Sequence, residues 1–170
     1  MHRFLPLLLA LAAGVSVSCQ SMSEGVFALE ARATVLDDQS TDIEDVDVST
    51  YGAQLALNTP IFDILGAVDF REYGDGDTPE LSVGVRRRFL ELWRVHPFIE
   101  GNLRYGLDLD TGTVSDDYVG YNLGGGVIFD LTDHIFLTAR LLYENAELST
   151  GSGDVTADGW VGMLGVGIHF

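Results

Sequence analysis

Three kinds of residue in this 170-residue chain could do chemistry: carboxylates, arginines and a single thiol. Asp and Glu number 26 against 9 basic residues, and every basic residue is Arg. Asp37, Asp38, Asp42, Glu44, Asp45 and Asp47 crowd one segment, and Asp75, Asp77, Asp108, Asp110, Asp116 and Asp117 follow further along. Carboxylates are hard oxygen donors of the kind that suit Ca²⁺ or Mg²⁺. Asp42, Glu44, Asp45, Asp108 and Asp110 are the candidate ligands for weak divalent binding. Asp108-Leu109-Asp110-Thr111-Gly112 lacks the later Glu of a calcium loop, and solvated anionic loops account for the same acids. No other cofactor is implied. His96, His134 and His169 are not at metal-ligand spacing and read as hydrogen-bonding groups. Gly124-Gly125-Gly126 has neither a following Lys-Ser/Thr nor a following helix, so it is no phosphate loop. The acidic balance excludes nucleic acid as a partner, because phosphate neutralisation needs clustered basic side chains. Cys19, the lone cysteine, cannot form an internal disulfide.

The elements that position these groups are strands. Period-2 alternation is frequent after residue 24 and long helical periodicity is absent. Strands are expected near 25–36, 48–58, 61–71, 80–90, 93–106, 117–130, 133–145 and 156–170. Most match the roughly 9–11 residues a tilted strand needs to cross a bilayer. Asn58-Thr59-Pro60, Glu91-Leu92 and Leu131-Thr132 read as tight turns. Asp37 to Asp47, Glu72 to Pro79, Leu107 to Asp116 and Ala146 to Val155 read as long polar loops. Short and long connections alternate, as in outer-membrane barrels with short periplasmic turns and long external loops. The fold class expected is all-β, an eight-stranded antiparallel up-and-down transmembrane β-barrel.

Strand faces decide which groups meet. Around strand five, Trp93, Val95, Pro97, Ile99, Leu103 and Tyr105 share one face, opposite Arg94, His96, Phe98, Glu100, Asn102 and Arg104. Strands one, four and seven repeat the pattern. In a soluble barrel the charged face would point outward; lipid outside inverts the order. The apolar faces are the more continuous, and the polar faces pair Arg with acids in mid-strand. By parity Arg32, Arg71, Arg86, Arg88, Arg94, Arg104 and Arg140 face the lumen, with Glu30, Asp63, Asp69, Glu100 and Glu144 as partners. Buried charges need partners and a narrow barrel is filled by side chains, so a plugged, ion-paired lumen follows. Arg87 falls by parity on the lipid face, to be resolved by snorkelling or by a bulge. The six Tyr and Trp160 lie toward the long-loop ends. Phe27, Phe62, Phe89, Trp93, Phe129, Phe136 and Phe170 lie toward the short turns, giving two aromatic bands. Gly84, Gly120, Gly124, Gly126, Gly165 and Gly167 fall on the inward face, where they make room for bulky Arg or for tight curvature.

Residues 1–18 read as a signal peptide: Met1-His2-Arg3 is positive, Phe4 to Val17 is largely apolar, and Ser16-Val17-Ser18 offers cleavage. The chain after cleavage carries 8 Arg and 26 acids, a formal charge of 8 − 26 = −18. Val15-Ser16-Val17-Ser18-Cys19 resembles a bacterial lipobox, with Ser16 where Leu is usual, and this implies lipidation at Cys19. Ordinary cleavage nearby is the alternative. Residues 19–24 then form a periplasmic tether and 25–170 the barrel.

Leu164-Gly165-Val166-Gly167-Ile168-His169-Phe170 resembles the recognition strand of bacterial outer-membrane barrels, with Gly165, Ile168 and Phe170 at the matching positions. With the eight-strand plan, residues 25–170 resemble the OmpA-type and OmpX-type outer membrane protein beta-barrel family. That resemblance implies a bacterial outer-membrane location, membrane lipids and the barrel assembly machinery as partners, and a monomer. Two lipid A-modifying enzyme types, a deacylase and a palmitoyltransferase, share such a scaffold. The deacylase pattern needs a His near a Ser and a Glu. No His-x-Ser occurs here, and the three histidines that follow the signal peptide lie near the short-turn ends, away from outer-leaflet substrate. The function expected is therefore non-enzymatic, structural or surface-interacting through acidic external loops that meet an unidentified surface ligand. A lipid A-modifying enzyme and a small pore are the alternatives.

Overall fold

The computed structural model describes residues 25–41, 48–73, 76–89, 93–107, 118–150 and 153–170. Eight strands follow one another: β1 Phe27–Thr41, β2 Val48–Leu57, β3 Asp63–Tyr73, β4 Gly76–Arg88, β5 Val95–Gly106, β6 Tyr118–Asp130, β7 Ile135–Thr150 and β8 Gly153–His169. Each pairs antiparallel with its neighbours, and β1 pairs with β8 to close the barrel. Closure satisfies every strand edge within one chain, which is the condition for a sheet to stand in hydrocarbon. At the seam, Phe27 and Phe170 exchange both backbone hydrogen bonds (3.0 and 2.9 Å) and stack their rings at 6.1 Å.

The alternation of side chains inverts a soluble barrel. Ile99, Leu103, Leu123 and Val166 are half or more exposed on the outside, while Asp63, Glu100 and Arg104 are at most 2% exposed inside. An eight-stranded barrel is just wide enough for its inward side chains to fill it. The short turns at one end are held locally. The Thr132 hydroxyl accepts from the amides of His134 and Ile135 at 3.2 and 3.0 Å, and the Asn58 amide donates to the Val26 carbonyl at 2.9 Å. Trp93 has φ of 59°, a left-handed backbone that a bulky residue rarely adopts. It marks where the chain enters β5, two residues later than alternation implied.

One expectation needs correction, and two further points concern single sites. Glu72–Pro79 and Ala146–Val155 are not loops: β3 and β4 stay paired to Tyr73↔Gly76, and β7 and β8 to Thr150↔Gly153. β1 likewise runs to Thr41, paired with β8. Outside the bilayer both faces of a hairpin meet water, so alternation disappears from the sequence although the backbone ladder continues. Second, a register shift between Thr34 and Leu36 in β1 puts Val35 and Leu36 outside together, 61% and 54% exposed. Third, β4 and β5 stay in register through Arg86↔Glu100, Arg87↔Ile99 and Arg88↔Phe98, so no bulge re-aims Arg87. It lies on the outer face one residue from the end of its strand, within reach of the interface.

Candidate functional site

The lumen is built from residues that alternation aims inward. Six arginines (32, 71, 86, 88, 104 and 140) meet six carboxylates (Glu30, Asp63, Asp69, Glu80, Glu100 and Glu144). Among the described residues, the arginine–carboxylate pairs thus match six cations with six anions. Toward the long-connection end, Arg104 donates to Glu80 (2.6 and 2.5 Å) and lies 2.6 Å from Glu144, which Arg71 also binds at 2.5 Å. The Tyr118 hydroxyl donates to Glu80. In the middle, Arg140 joins Glu30, Glu100 (3.1 Å) and Gln54 (2.8 Å), while Arg32 pairs with Asp69. Nearer the short turns, Asp63 holds Arg86 at 3.0 Å and Arg88 at 3.1 Å. Bidentate and shared contacts of this kind are what make charge tolerable at such burial.

Two glycines are required by this packing. A Cβ on Gly165 would meet the carboxylate of Glu30 and the hydroxyl of Thr138; one on Gly167 would meet the Phe136 ring. The space they leave is taken by a carboxylate and an aromatic ring rather than by an arginine.

Arg94 departs from the expected lumen set. It is exposed at the β4–β5 connection, donating to the Leu131 carbonyl at 3.0 Å with its guanidinium 5.3 Å from the centre of the Trp93 ring. The positive φ at Trp93 breaks the alternation that had placed it inside. The other eleven expected lumen residues are inside. Glu80, Gln54, Asn102, Asn122, Thr138 and Tyr118 belong with them. The Asn102 amide donates to Asn122 at 2.7 Å, and Thr138 donates to Glu30 at 2.6 Å. Glu80 shares the parity of Ser82, Gly84 and Arg86, a signal sufficient to find it. Tyr118 lies in the Tyr band along the axis but faces inward, 3% exposed.

The histidines are at the short-turn end. His96 bonds Asp130 at 2.8 Å and His169 lies 3.6 Å from the other oxygen of that carboxylate, its ring 4.5 Å from Phe136. His134 sits exposed in the β6–β7 turn, its carbonyl accepting from the His169 amide at 2.8 Å. Among the described residues no group of three or more His, Cys, Asp or Glu could hold a metal ion. Asp42, Glu44, Asp45, Asp108, Asp110 and Cys19 lie outside the described residues. On β8, Gly165 faces the lumen and Ile168 the exterior.

The excess acids are clustered along the chain. In the sequence, residues 36–47, 72–79, 107–117 and 145–158 contain sixteen Asp and Glu and no Arg, Lys or His. Aromatic rings mark the two rims of the apolar belt. Tyr51 stacks on Phe70 at 5.6 Å, and Tyr143 meets Trp160 edge-on at 5.5 Å while donating to Asp158 at 2.5 Å. Phe27, Phe62, Phe129 and Phe170 are exposed at the other rim.

Known structures share this architecture. The N-terminal β-barrel domain of Pseudomonas aeruginosa OprF aligns with a TM-score of 0.57 at 18% identity, covering 85% of this chain and 96% of that one. The outer membrane protein OprG from the same organism gives 0.55 at 15%, covering 90% and 99%. Neisserial surface protein A gives 0.55 at 17%, covering 87% and 97%. The fold is that of an eight-stranded outer-membrane barrel. No protein-family model and no curated protein sequence matches the chain.

Proposed function

We propose that the chain is a non-enzymatic bacterial outer-membrane protein, a closed barrel that presents an acidic surface to the cell exterior. The observation that carries this reading is the partition of charge. Inside, six arginines meet six carboxylates; outside, an apolar belt lies between two aromatic rims; at one end, sixteen acids have no basic neighbour in the sequence. Charges buried in compensating pairs serve the scaffold, whereas charges gathered uncompensated at one end create a field that selects cationic partners. Hairpins stiffened by strand pairing hold part of that surface above the membrane. Its ligands are cations or cationic surfaces, with weak Ca²⁺ or Mg²⁺ binding, centred on Asp42, Glu44, Asp45, Asp108 and Asp110, bridging the acidic end to anionic lipid headgroups.

The absence of catalysis is supported by where the histidines lie. His96 and His169 are engaged with Asp130 at the end opposite the acidic surface. The strand with Gly165, Ile168 and Phe170 is the segment we assign to the barrel assembly machinery, and Cys19 the residue we assign to lipid attachment. Expression of the full chain, followed by fractionation and heat-modifiable gel migration, tests the reading. Recovery in the outer-membrane fraction in a compact, fast-migrating form, with lipid A unchanged in mass, is the expected result. Release as a soluble periplasmic protein, or a change in lipid A acylation, overturns it.

A further inference from the structure

The lumen contains a second layer that charge pairing does not explain. Ala28, Ala56, Leu65, Phe98, Ile128 and Phe136 form one buried apolar cluster, contributed by six of the eight strands. The other two strands close against it. β8 does so at Gly167, whose backbone packs on the Phe136 ring, and β4 through Arg86, 5.3 Å from the centre of the Phe98 ring. On the short-turn side lie His96, Asp130 and His169; on the other side lies Arg140, 5.8 Å from the same Phe98 ring, where the mid-barrel ion pairs begin. The cluster thus crosses the bore as a septum.

We propose that this apolar septum, rather than the arginine–carboxylate network, is the barrier that keeps the barrel from conducting ions. The inference rests on the reading of the chain as a closed membrane barrel. An ion in transit must exchange its hydration shell for polar groups of the wall. The network offers such groups. Glu100 Oε2, Arg140 Nε, Gln54 Nε2 and Asn102 Oδ1 are buried with no hydrogen-bond partner among the described residues. Water or an ion can be solvated there, and polar sites of this kind hold water readily. Apart from the Arg86 guanidinium, which Asp63 holds at 3.0 Å, the septum offers methyl groups and ring edges, and apolar constrictions exclude ions by dewetting. Phe98 is its best-anchored ring, with the Arg86 and Arg140 guanidinium groups 5.3 and 5.8 Å from its centre.

Planar-bilayer recording of the refolded full chain tests this, with gel migration confirming that each variant is folded. The septum variant is Phe98→Ala with Phe136→Ala; the network variant is Glu100→Gln with Arg140→Gln; a control that keeps a bulky apolar side chain is Phe98→Leu. Wild type, network variant and control are expected at the bilayer baseline, and the septum variant at least about tenfold above it. If the double septum variant does not migrate as folded, Phe98→Ala alone is read by the same criterion. A conducting network variant, or a folded but silent septum variant, overturns the proposal. Conduction by the wild type overturns instead the closed-barrel reading beneath it.

Discussion

Removing the Arg140 guanidinium should destabilise the barrel by about 3–5 kcal/mol, the range for breaking a buried ion pair from one side. The side chain is fully buried and joins Glu30, Glu100 and Gln54, with Thr138 at 3.4 Å. Among the described residues no other direct ion pair reaches Glu100, so Arg140→Met leaves that buried carboxylate without its contacting cation, with Arg32 acting on it only at longer range. Glu30 keeps the Thr138 hydroxyl but loses its contacting cation. At about 1.4 kcal/mol per decade the folded-to-unfolded ratio falls by roughly two to three and a half powers of ten. The triple variant Arg140→Met, Glu30→Gln, Glu100→Gln removes the whole charge set. It should recover most of the loss, because replacing an entire buried ion network is often neutral or stabilising. Urea unfolding from lipid vesicles, followed by tryptophan fluorescence, measures both. A single variant within about 1 kcal/mol of wild type, or a triple variant as unstable as the single, would refute the claim that these charges hold one another in place.

Other outcomes follow from the same geometry. Val166→Arg, at mid-strand on the exterior of β8, should cost about 2–4 kcal/mol in vesicles, whereas a water-facing site would tolerate it. Gly167→Ala should cost about 1–3 kcal/mol through its clash with Phe136, and Phe136→Leu should relieve part of that, as a double-mutant cycle by urea unfolding would show. Asp130→Asn, by weakening the contacts to His96 and His169, should cost about 1–3 kcal/mol and speed amide exchange at His169 and Phe170. Calorimetry on the folded protein should detect weak Ca²⁺ or Mg²⁺ binding that Asp42→Asn with Asp45→Asn reduces; no heat above dilution removes the divalent proposal.

The strands were legible because apolar and polar residues alternate wherever one face meets lipid and the other the lumen. That signal fails where both faces meet the same medium, so the paired extensions of β3–β4 and β7–β8 looked like loops. Parity identified Arg140 and Glu30 as inward, yet it assigns a face and not a level. Their meeting depends on strand tilt and on residues 110 positions apart. Backbone irregularities defeat parity outright: the left-handed Trp93 turned Arg94 out of the lumen, and the shift at Thr34–Leu36 put two apolar neighbours outside together. Glu80 had the right parity but stood at the edge of its expected strand. The contact of His96 and His169 with Asp130 joins β5, β6 and β8, and no local pattern announces it.

The inverted surface is the central claim, and spin labels test it directly. Single labels on Ile99, Leu103, Leu123 and Val166 of the protein in vesicles can be relaxed by oxygen, which partitions into lipid, or by a water-soluble paramagnetic complex. The account predicts strong relaxation by oxygen and little by the complex at all four positions, with the reverse at Asp158. Relaxation by the water-soluble complex at Ile99 and Val166 would place those faces in water and contradict it.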